Sequence, residues 1–402
     1  MTPWLTIIGI GEDGWDGLSA KAHNIIQNAA HIIGSSRTLA KMPVISAQHH
    51  EWPQPFSAVV EQLKPLAGHA TVILATGDPM NYGVARKILA FIPKSEINII
   101  PHLSAFSFAA ALLGWSLPDC DCFTIHGRPA ANVEAFIQPN ARLLILTENE
   151  TSIAEVCRRL IARGFENSEV TVLENLNGPR ERLTSFAANA APSVKWSPLN
   201  TLAVHCKASP HARIWSRLAG LPDEVFQHDG KITKREVRAA TLAALAPAPD
   251  QILWDIGAGS GSVAIEWMRS TRGCEAFAIE PLPDRRAMIA ANADALGTPR
   301  LKIIAGTAPE QCQDLPAPHA IFIGGGISDN GTFEIAWDKL QPGGRLVANV
   351  VTIEGDMHLY DLQEKHGGEL VRMDISVLTT IGNLRAMRPR MSVLQWRITK
   401  PW

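Results

Sequence analysis

A glycine-rich segment in the carboxy-terminal half of the chain has the spacing of a ligand-binding turn. Gly257, Gly259 and Gly261 directly follow the apolar segment LWDI and precede a helix that is predicted to begin near Ser262. Glycine lets the backbone turn sharply and come within contact of a ligand, and the first turn of a helix presents free N–H groups to the same place. The spacing therefore predicts a nucleotide-like ligand at this turn, with a tight strand–helix turn that binds nothing as the alternative.

Small and acidic residues follow the next predicted strands in an order that extends this hypothesis. Glu280 ends the strand AFAIEP, and an acid at that place commonly accepts hydrogen bonds from the hydroxyls of a ribose. The third strand ends in AGTAPE, where Ala308 and the small residues before it leave room for a flat base. The fourth ends in FIGGG, which contains Gly324, Gly325 and Gly326, and a Pro-Gly-Gly turn precedes the fifth. A NAD-dependent oxidoreductase shares the turn and the acid, but nothing downstream favours a nicotinamide site.

Three cations lie at the start of another predicted helix, in the segment GKITKREVR. Thr233 and Glu236 have the spacing of a capping box, and Lys234, Arg235 and Arg238 fall in the first turns. Cations at the amino terminus of a helix oppose the helix dipole. The placement favours an anionic ligand nearby, and a well-capped surface helix is the alternative.

The amino-terminal half carries a second and different set of turn residues. Gly9 and Gly11 follow a predicted strand at the start of the chain, and Gly77, Asp78 and Pro79 follow another. No acid ends a second strand here, so a second turn of the Rossmann type is not supported. Taken alone, each segment is also consistent with an ordinary surface turn.

The elements that must position these residues alternate along the chain. Apolar segments alternate with helix-period segments, which predicts an α/β fold. Strands are predicted at residues 5–9, 71–75, 143–147, 170–173, 202–205, 252–256, 276–279, 301–304, 320–323 and 345–351. Residues 207–230 have no clear period and contain prolines and glycines. We therefore predict two domains, 1–209 and 210–402, each large enough for its own core.

The composition excludes several classes of protein. Hydrophobic residues make up 46% and charged residues 19% of the chain, as in globular rather than disordered proteins. The formal net charge of −2 argues against a nucleic-acid partner bound through a broad basic surface. No apolar run reaches the roughly 18 residues of a membrane span, and no basic residue precedes the first apolar run, as a signal peptide requires. The six cysteines show neither a C-x-x-C pair nor a zinc pattern, so we expect no metal, no disulfide and a cytoplasmic location.

The motifs of the amino-terminal half together resemble those of the tetrapyrrole methylase family. That family has G-x-G after its first strand, Gly-Asp-Pro after a later strand, a Pro-x-x-Ser segment opening a helix and often His-Gly-Arg. This chain has GIGEDG, ATGDPMNYG, PHLSAF and IHGRP at the matching places. It departs from the pattern at Ala105, where many relatives have a second serine after Ser104, and at Leu112, where relatives often have arginine.

The order of motifs in the carboxy-terminal half resembles that of class I methyltransferases, with a glycine turn, an acid, a small residue and Pro-Gly-Gly. The fusion of both halves resembles the decarboxylating two-domain methyltransferases of cobalamin (corrin ring) biosynthesis over nearly the whole chain. The resemblance implies a two-lobed tetrapyrrole methylase fold followed by a Rossmann-like class I methyltransferase domain. It also implies two sites for the methyl donor S-adenosyl-L-methionine. In the carboxy-terminal domain the matching positions are Thr233, Gly257, Ala258, Gly259, Ser260, Gly261, Glu280 and Ala308, and in the amino-terminal domain they are Gly9, Gly11, Gly77, Asp78 and Pro79.

The substrate that the resemblance implies is a precorrin macrocycle with several acetate and propionate chains. The implied reaction is methylation at carbons 5 and 15 with loss of carbon dioxide from an acetate chain, carbon 15 and the decarboxylation belonging to the carboxy-terminal domain. The cations expected to bind its carboxylates are Arg128, Lys234, Arg235 and Arg238, and Gly324, Gly325 and Gly326 would let a flat ring approach the backbone. Asn349, after the fifth strand, is a candidate for orienting the substrate or handling a proton; no other catalytic group is assigned.

Two other classes of protein remain as alternatives. A nucleic-acid methyltransferase would share the glycine turn, but a basic face is expected of it, and often Asn-Pro-Pro-Tyr or a reactive cysteine near the fourth strand. A non-catalytic tetrapyrrole carrier would bind the macrocycle and would not need the donor turns. The sequence leaves the oligomeric state open, and a homo-oligomer is compatible with it.

Overall fold

The computed structural model describes residues 3–402, which divide into two compact units. The first comprises residues 3–130 and Phe136–Arg213, and the second comprises Ala131–Ala135 and Ile214–Trp402. Among the described residues, no helix is both long and apolar enough to cross a bilayer. All six cysteines are free thiols.

The first unit contains two sheets. Its strands are β1 (Leu5–Ile10), β2 (His31–Gly34), β3 (Gln48–Glu51), β4 (Thr71–Thr76), β5 (Ile97–Ile100), β6 (Cys120–Thr124), β7 (Arg142–Leu146), β8 (Glu169–Glu174), β9 (Arg182–Ala187) and β10 (Asn200–His205). Its helices are α1 (Ala20–Gln27), α2 (Ser36–Leu39), α3 (Val59–Leu63), α4 (Ala85–Ile88), α5 (Ala105–Leu113) and α6 (Ser152–Ala162). The first sheet is parallel throughout, with the order β3-β2-β4-β1-β5, and the second has the order β6-β7-β10-β8-β9, with only β6 and β7 parallel.

The register of the first sheet places two of the predicted turns side by side. Ile10 pairs with Thr76 at the carboxyl ends of β1 and β4, and the N–H of Gly77 donates to the carbonyl of Ile10 at 2.9 Å. Both strands are buried on both faces, which is why they read as continuous apolar runs. The loops after β1 and β4 therefore meet at one edge of the sheet.

The second unit contains a seven-stranded sheet and a separate hairpin. Its strands are β11 (Ile252–Ile256), β12 (Glu275–Glu280), β13 (Lys302–Ala305), β14 (Ala320–Ile323), β15 (Arg345–Val350), β16 (Glu369–Met373), β17 (Ser376–Ile381), β18 (Leu384–Pro389) and β19 (Val393–Thr399). Its helices are α7 (Arg235–Leu245), α8 (Ser262–Ser270), α9 (Pro283–Ala295), α10 (Thr332–Lys339) and α11 (Ile353–His366).

The sheet of the second unit has the order β13-β12-β11-β14-β15-β19-β16, and β17 pairs with β18 alone. Strands β11 to β15 run parallel, whereas β19 is antiparallel to both of its neighbours. The chain order reverses between β11 and β14. In open α/β sheets, ligands bind outside the carboxyl ends of the strands at such a reversal.

The predicted α/β class is confirmed, and every predicted strand exists within two residues of its predicted ends. The capping prediction for the helix after GKIT is wrong, because α7 begins at Arg235 and its preceding residue, Lys234, makes no side-chain cap. The side chain of Glu236 does not complete a capping box at the start of α7. It pairs instead with Arg390, 2.8 Å away.

Most of the segment without periodicity, from Ile214 onward, is an integral part of the second unit. Trp215, Leu221, Phe226 and Ile232 are buried in the same hydrophobic cluster as residues of α7 and α8. The side chain of Asn292 in α9 also holds this segment, since it accepts from the N–H of Gln227 at 2.7 Å and donates to its carbonyl at 2.9 Å. The segment therefore folds across the carboxy-terminal sheet despite having almost no regular structure of its own.

Candidate functional sites

The glycine turn after β11 is shaped both by its backbone and by its neighbours. Gly257, Gly259 and Gly261 all have left-handed φ angles of 72°, 58° and 73°. A Cβ on Gly257 would lie 2.9 Å from the backbone nitrogen of Gly325, and one on Gly261 would lie 2.9 Å from Ile289. A Cβ on Gly259 would meet only the carbonyl of Lys231, at 3.3 Å. The chain's own packing thus requires the outer two glycines, and the middle one remains open to a ligand.

Glu280 holds this turn in place. Its side chain is 2% exposed, and its two oxygens accept from the N–H groups of Gly259 at 2.9 Å and Leu282 at 3.0 Å. The carboxylate therefore connects the end of β12 to the glycine turn directly. A hydrogen bond from Glu280 to a ribose stays a prediction, and it would have to share these oxygens.

Asp255 is a functional candidate that sequence reasoning missed. It is 1% exposed on β11, and one carboxylate oxygen accepts from the N–H of Ala264 at 3.0 Å while the other has no partner. Burial raises its pKa to about 7, the hydrogen bond from Ala264 opposes this, and the nearby charge of Glu280 adds to it. The only signal in the sequence was an acid that interrupts an otherwise apolar strand two residues before the glycine turn.

The other predicted donor contacts in the second unit have different surroundings. Ser260 is buried and its hydroxyl lacks a partner, whereas its carbonyl accepts from Asn292 at 3.0 Å. Thr233 and Ala258 are half-buried. Ala308 is buried in the hydrophobic cluster on one face of the sheet, so any donor contact there would involve a residue that is also part of the core.

Arg238 does not belong with the substrate cations. It is fully buried, and its guanidinium contacts Glu266 at 2.7 Å, Asp223 at 3.0 Å and the carbonyls of Leu221 and Thr233. Two carboxylates and two carbonyls take up four of its five N–H donors, and because the side chain is fully buried, none of its donors is exposed to a ligand. The prediction of substrate binding by Arg238 is therefore wrong, and the residue ties the irregular segment to α7 and α8.

Two cations at the start of α7 remain accessible. Lys234 is half-buried and Arg235 is exposed, and neither forms an ion pair within the described residues. Gly324, Gly325 and Gly326 are exposed after β14, and a Cβ on Gly325 would meet no atom within 4 Å. Open backbone and unpaired cations thus both occur in the second unit, as a flat polyanionic ligand requires.

Asn349 lies in a closed polar network rather than in open space. Its amide donates to the hydroxyl of Thr241 at 2.9 Å, and its carbonyl oxygen accepts from Gln395 at 2.8 Å. Gln395, which is fully buried, also donates to Thr241 at 3.0 Å. The network links Asn349 on β15 to Gln395 on β19 and to Thr241 on α7. This arrangement favours a structural role over proton transfer.

A cleft lies between the two sheets of the first unit. It is lined by Gly11, Glu12, Thr76, Gly77, Leu103, Ala105, Phe108, Leu173, Asn175, Leu176, Leu199, Asn200 and Thr201. Gly77 has a φ of 64°, and a Cβ there would meet no protein atom within 4 Å. Of the predicted donor residues in this half, Gly11 and Gly77 therefore line the cleft, and Gly77 faces open space, whereas a Cβ on Gly11 would collide with the carboxylate of Asp13.

The remaining three predicted donor residues of the first unit do not line this cleft. Gly9 is buried inside β1, where a Cβ would lie 2.4 Å from the carbonyl oxygen of Gly77, so packing alone requires glycine. Asp78 accepts from the N–H of Met80 at 2.8 Å, and it shapes the turn that Pro79 continues. Their predicted contacts with a donor stay untested.

A charged group at the wall of the cleft was also missed. Glu12 pairs with Arg37 and with Lys41, the latter at 2.6 Å, and Arg37 also donates to the hydroxyl of Thr76 at 3.3 Å. The partners lie 25 and 29 residues from Glu12 in the chain, so no local spacing signals them. Arg128 is exposed, with its guanidinium 5.5 Å from the ring centre of Tyr82, itself partly exposed.

Comparison with known proteins finds two family domains in the chain. Residues 4–190 match the tetrapyrrole (corrin/porphyrin) methylases, and residues 224–400 match the precorrin methyltransferase domain. A relative from Sinorhizobium sp, named precorrin-6Y C(5,15)-methyltransferase (decarboxylating), is 42% identical over 100% of this chain and 97% of its own length. A protein of the same name from Mycobacterium tuberculosis H37Rv is 35% identical over 98% of this chain and 100% of its own. Among solved structures, the C-terminal domain of precorrin-6Y C5,15-methyltransferase from Rhodobacter capsulatus is 44% identical, covering 46% of this chain and 100% of that one with a TM-score of 0.44.

The sequence similarity, together with the glycine turns and α/β sheets, defines the protein as a methyltransferase. The similarity extends over all of this chain and nearly all of the first relative. The chain belongs to the family of precorrin-6Y C(5,15)-methyltransferases (decarboxylating).

Proposed function

We propose that this protein methylates a precorrin macrocycle at carbons 5 and 15 and removes carbon dioxide from one of its acetate chains, in cobalamin biosynthesis. The observation that carries the proposal is the 42% identity to a relative of that name over the full length of the chain. A protein with only one of the two activities would be expected to match over one half alone.

The methyl donor of the proposed reaction is S-adenosyl-L-methionine, bound at one site in each unit. In the second unit it would be held by the glycine turn, with Gly259 exposing its backbone and Glu280 fixing the turn. In the first unit it would be held in the cleft beside Gly11 and Gly77. The bound donor supplies an electrophilic methyl group, and the protein's task is to hold an electron-rich carbon in line with it.

The order of strands in the second unit supports its assignment to the class I methyltransferases. The glycine turn follows β11 at the reversal of chain order, where ligands of open α/β sheets bind. The two sheets of the first unit with the cleft between them support a two-lobed tetrapyrrole methylase fold. The proposed domains are residues 1–209 and 210–402.

In the second unit, the exposed glycines after β14 would contact a flat face of the macrocycle. Lys234 and Arg235 would bind its peripheral carboxylates, since both cations are accessible and unpaired within the described residues. In the first unit, Arg128 beside Tyr82 offers a further cation next to an exposed ring. The decarboxylation needs no strong base, because the conjugated ring accepts the electron pair as carbon dioxide leaves.

The chemistry is divided between the units in this proposal. Methylation at carbon 15 and the decarboxylation belong to the second unit, and methylation at carbon 5 belongs to the first. Two variants of the full chain separate these steps. Gly77→Val fills the space of the first cleft, and Gly259→Val blocks the open glycine of the second turn, each at a left-handed backbone position.

The test is incubation with precorrin-6Y and S-adenosylmethionine, followed by product mass. The wild type should add two methyl groups and lose one carbon dioxide. Gly259→Val should leave one methyl gain and retain the carboxylate, and Gly77→Val should leave one methyl gain with the carboxylate lost. Donor binding without any change in the mass of the macrocycle would refute the proposal and favour a carrier. Loss of carbon dioxide in Gly259→Val but not in Gly77→Val would reverse the division between the units.

A further inference from the structure

Two buried carboxylates lie on adjacent strands near the glycine turn of the second unit. Asp255 and Glu280 are 1% and 2% exposed, on the adjacent strands β11 and β12. Within the described residues, neither carboxylate forms an ion pair, and one oxygen of Asp255 accepts no hydrogen bond. A buried charge that lacks a counter-charge is costly, so such a pair calls for a cation from outside the chain.

The elements packed around Asp255 do not supply that cation. Strand β14 carries no ionisable residue, and on α8 Glu266 is paired with Arg238. Arg269, also on α8, donates to the carbonyls of the segment before α7 and of the loop after α9. On α9, Arg286 donates to the main-chain carbonyl of Glu280, at 3.0 Å, and not to its carboxylate. Within the described residues, Glu280 is the one charged group that contributes to the raised pKa of Asp255, after burial, and its charge has the same sign.

The consequence is a proton on Asp255 in the free protein. Burial and the charge of Glu280 raise the pKa of Asp255 to about 7, although the N–H of Ala264 stabilises the charged form. Near neutral pH the free protein is thus a mixture of protonated and charged Asp255. A ligand that brings positive charge to the turn favours the charged form, because an opposite charge within reach lowers the pKa of a carboxyl group.

We propose that Asp255 is the counter-charge for the cationic methyl donor, losing its proton to the solvent when the donor binds and regaining one after the methyl group has left. The inference rests on the proposed donor site of the second unit. On binding, the O–H bond of Asp255 breaks and the proton passes to the buffer. On transfer, the sulfonium becomes a neutral thioether, the ligand loses one positive charge, and Asp255 takes a proton back from the buffer. Asp255 is a positioning residue in this account, since it acts through charge near the turn.

The mechanism makes discrimination between donor and product depend on pH. If Asp255 loses its proton completely, donor affinity at the second site rises about tenfold between pH 6 and pH 8 and then levels off. Affinity for the uncharged thioether product changes much less. Donor is then favoured over product most strongly above about pH 8, where Asp255 is charged before any ligand binds.

Isothermal titration calorimetry of the full chain tests this with S-adenosylmethionine and S-adenosylhomocysteine. Titrations at pH 6 in buffers of different ionisation enthalpy count the protons released. The difference in proton release between the wild type and Asp255→Asn isolates the contribution of the second site. We expect the wild type to release about 0.9 proton more than the variant on donor binding at pH 6, and almost no difference on product binding.

Glu275→Gln is the matched control, because it removes a carboxylate from the far end of β12 that is exposed and paired with Lys302. It should release the same number of protons as the wild type. If Asp255→Asn does not fold, subtracting the Gly259→Val titration isolates the second site by a separate route. Equal proton release in wild type and Asp255→Asn, or equal pH dependence for donor and product, would overturn the inference while leaving the proposed function intact. Absence of donor binding at the second site across this pH range would overturn both.

Discussion

Replacing Glu280 by glutamine should weaken donor binding in the second unit and leave the first unit unaffected. Both oxygens of Glu280 accept backbone N–H bonds, from Gly259 at 2.9 Å and from Leu282 at 3.0 Å, in a site that is 2% exposed. An amide has one acceptor oxygen and presents an NH2 group to the second N–H, so at least one of these bonds is lost. A hydrogen bond to a charged group contributes about 1.5–3 kcal/mol, which corresponds to a loss of affinity of about 10- to 150-fold.

Calorimetric titration of the full chain with S-adenosylhomocysteine measures this change. The first site gives an internal reference, and Glu275→Gln, on the same strand but exposed, should bind as the wild type does. Unchanged affinity at the second site would mean that Glu280 neither binds the donor nor holds the turn in its binding conformation. Equal weakening of both sites would refute the independence of the two sites, on which the argument depends.

Three further perturbations test other parts of the structure. Arg238→Met leaves the carboxylate of Glu266 buried without its partner and should lower the free energy of unfolding by about 3–5 kcal/mol in urea denaturation. The exposed Arg235→Met should change it by less than about 0.5 kcal/mol, and equal effects would contradict the burial argument. Burial, followed by the charges of two neighbouring histidines, lowers the pKa of His50 below its ordinary value of 6.5. The folded state thus disfavours protonation of His50, so the free energy of unfolding should be constant above about pH 6.5 and decrease below it. A decrease of the same size in His50→Gln would mean that another group causes it. Gly259→Val should reduce the S-adenosylhomocysteine stoichiometry of the full chain from two to one, and a loss of both equivalents with the fold intact would show that the sites are coupled.

The strands that the sequence predicted are those whose apolar runs come from burial on both faces. β1, β4, β11 and β14 are interior strands with parallel neighbours on both sides, and each reads as a mainly hydrophobic segment. Some of the strands that were missed have no such signal, although the buried strands β2 and β19 were missed as well. β3 is the edge strand QHHE, and β17 and β18 form an isolated hairpin with several exposed side chains. Hydrophobic runs therefore predict many of the strands that the core buries, and they miss strands that are defined by their pairing alone.

The candidate site was predictable where a residue's role depends on its neighbours in the chain. The glycine turn and Gly77 have the left-handed backbone that their spacing suggested. Arg238 could not be interpreted in this way, because its partners Glu266 and Asp223 lie 28 and 15 residues away. The same limit applied to Asp255, because its pKa is raised first by burial in the folded sheet and then by the charge of Glu280 on the neighbouring strand. A charged residue next to a ligand motif thus needs its tertiary partners before it can be assigned to the ligand.

Because Arg238 is buried and paired within the protein, fewer cations of the second unit are available to bind a polyanionic macrocycle. Lys234 and Arg235 remain, and their charges are accessible and unpaired within the described residues. A small number of cations suits a decarboxylation, because a tight salt bridge to the reacting acetate would stabilise its charged ground state more than the transition state, in which that charge disperses into the ring. The cations should therefore bind peripheral carboxylates while the reacting acetate lies away from them. Replacing both by alanine would then weaken macrocycle binding more than it slows the release of carbon dioxide from bound substrate.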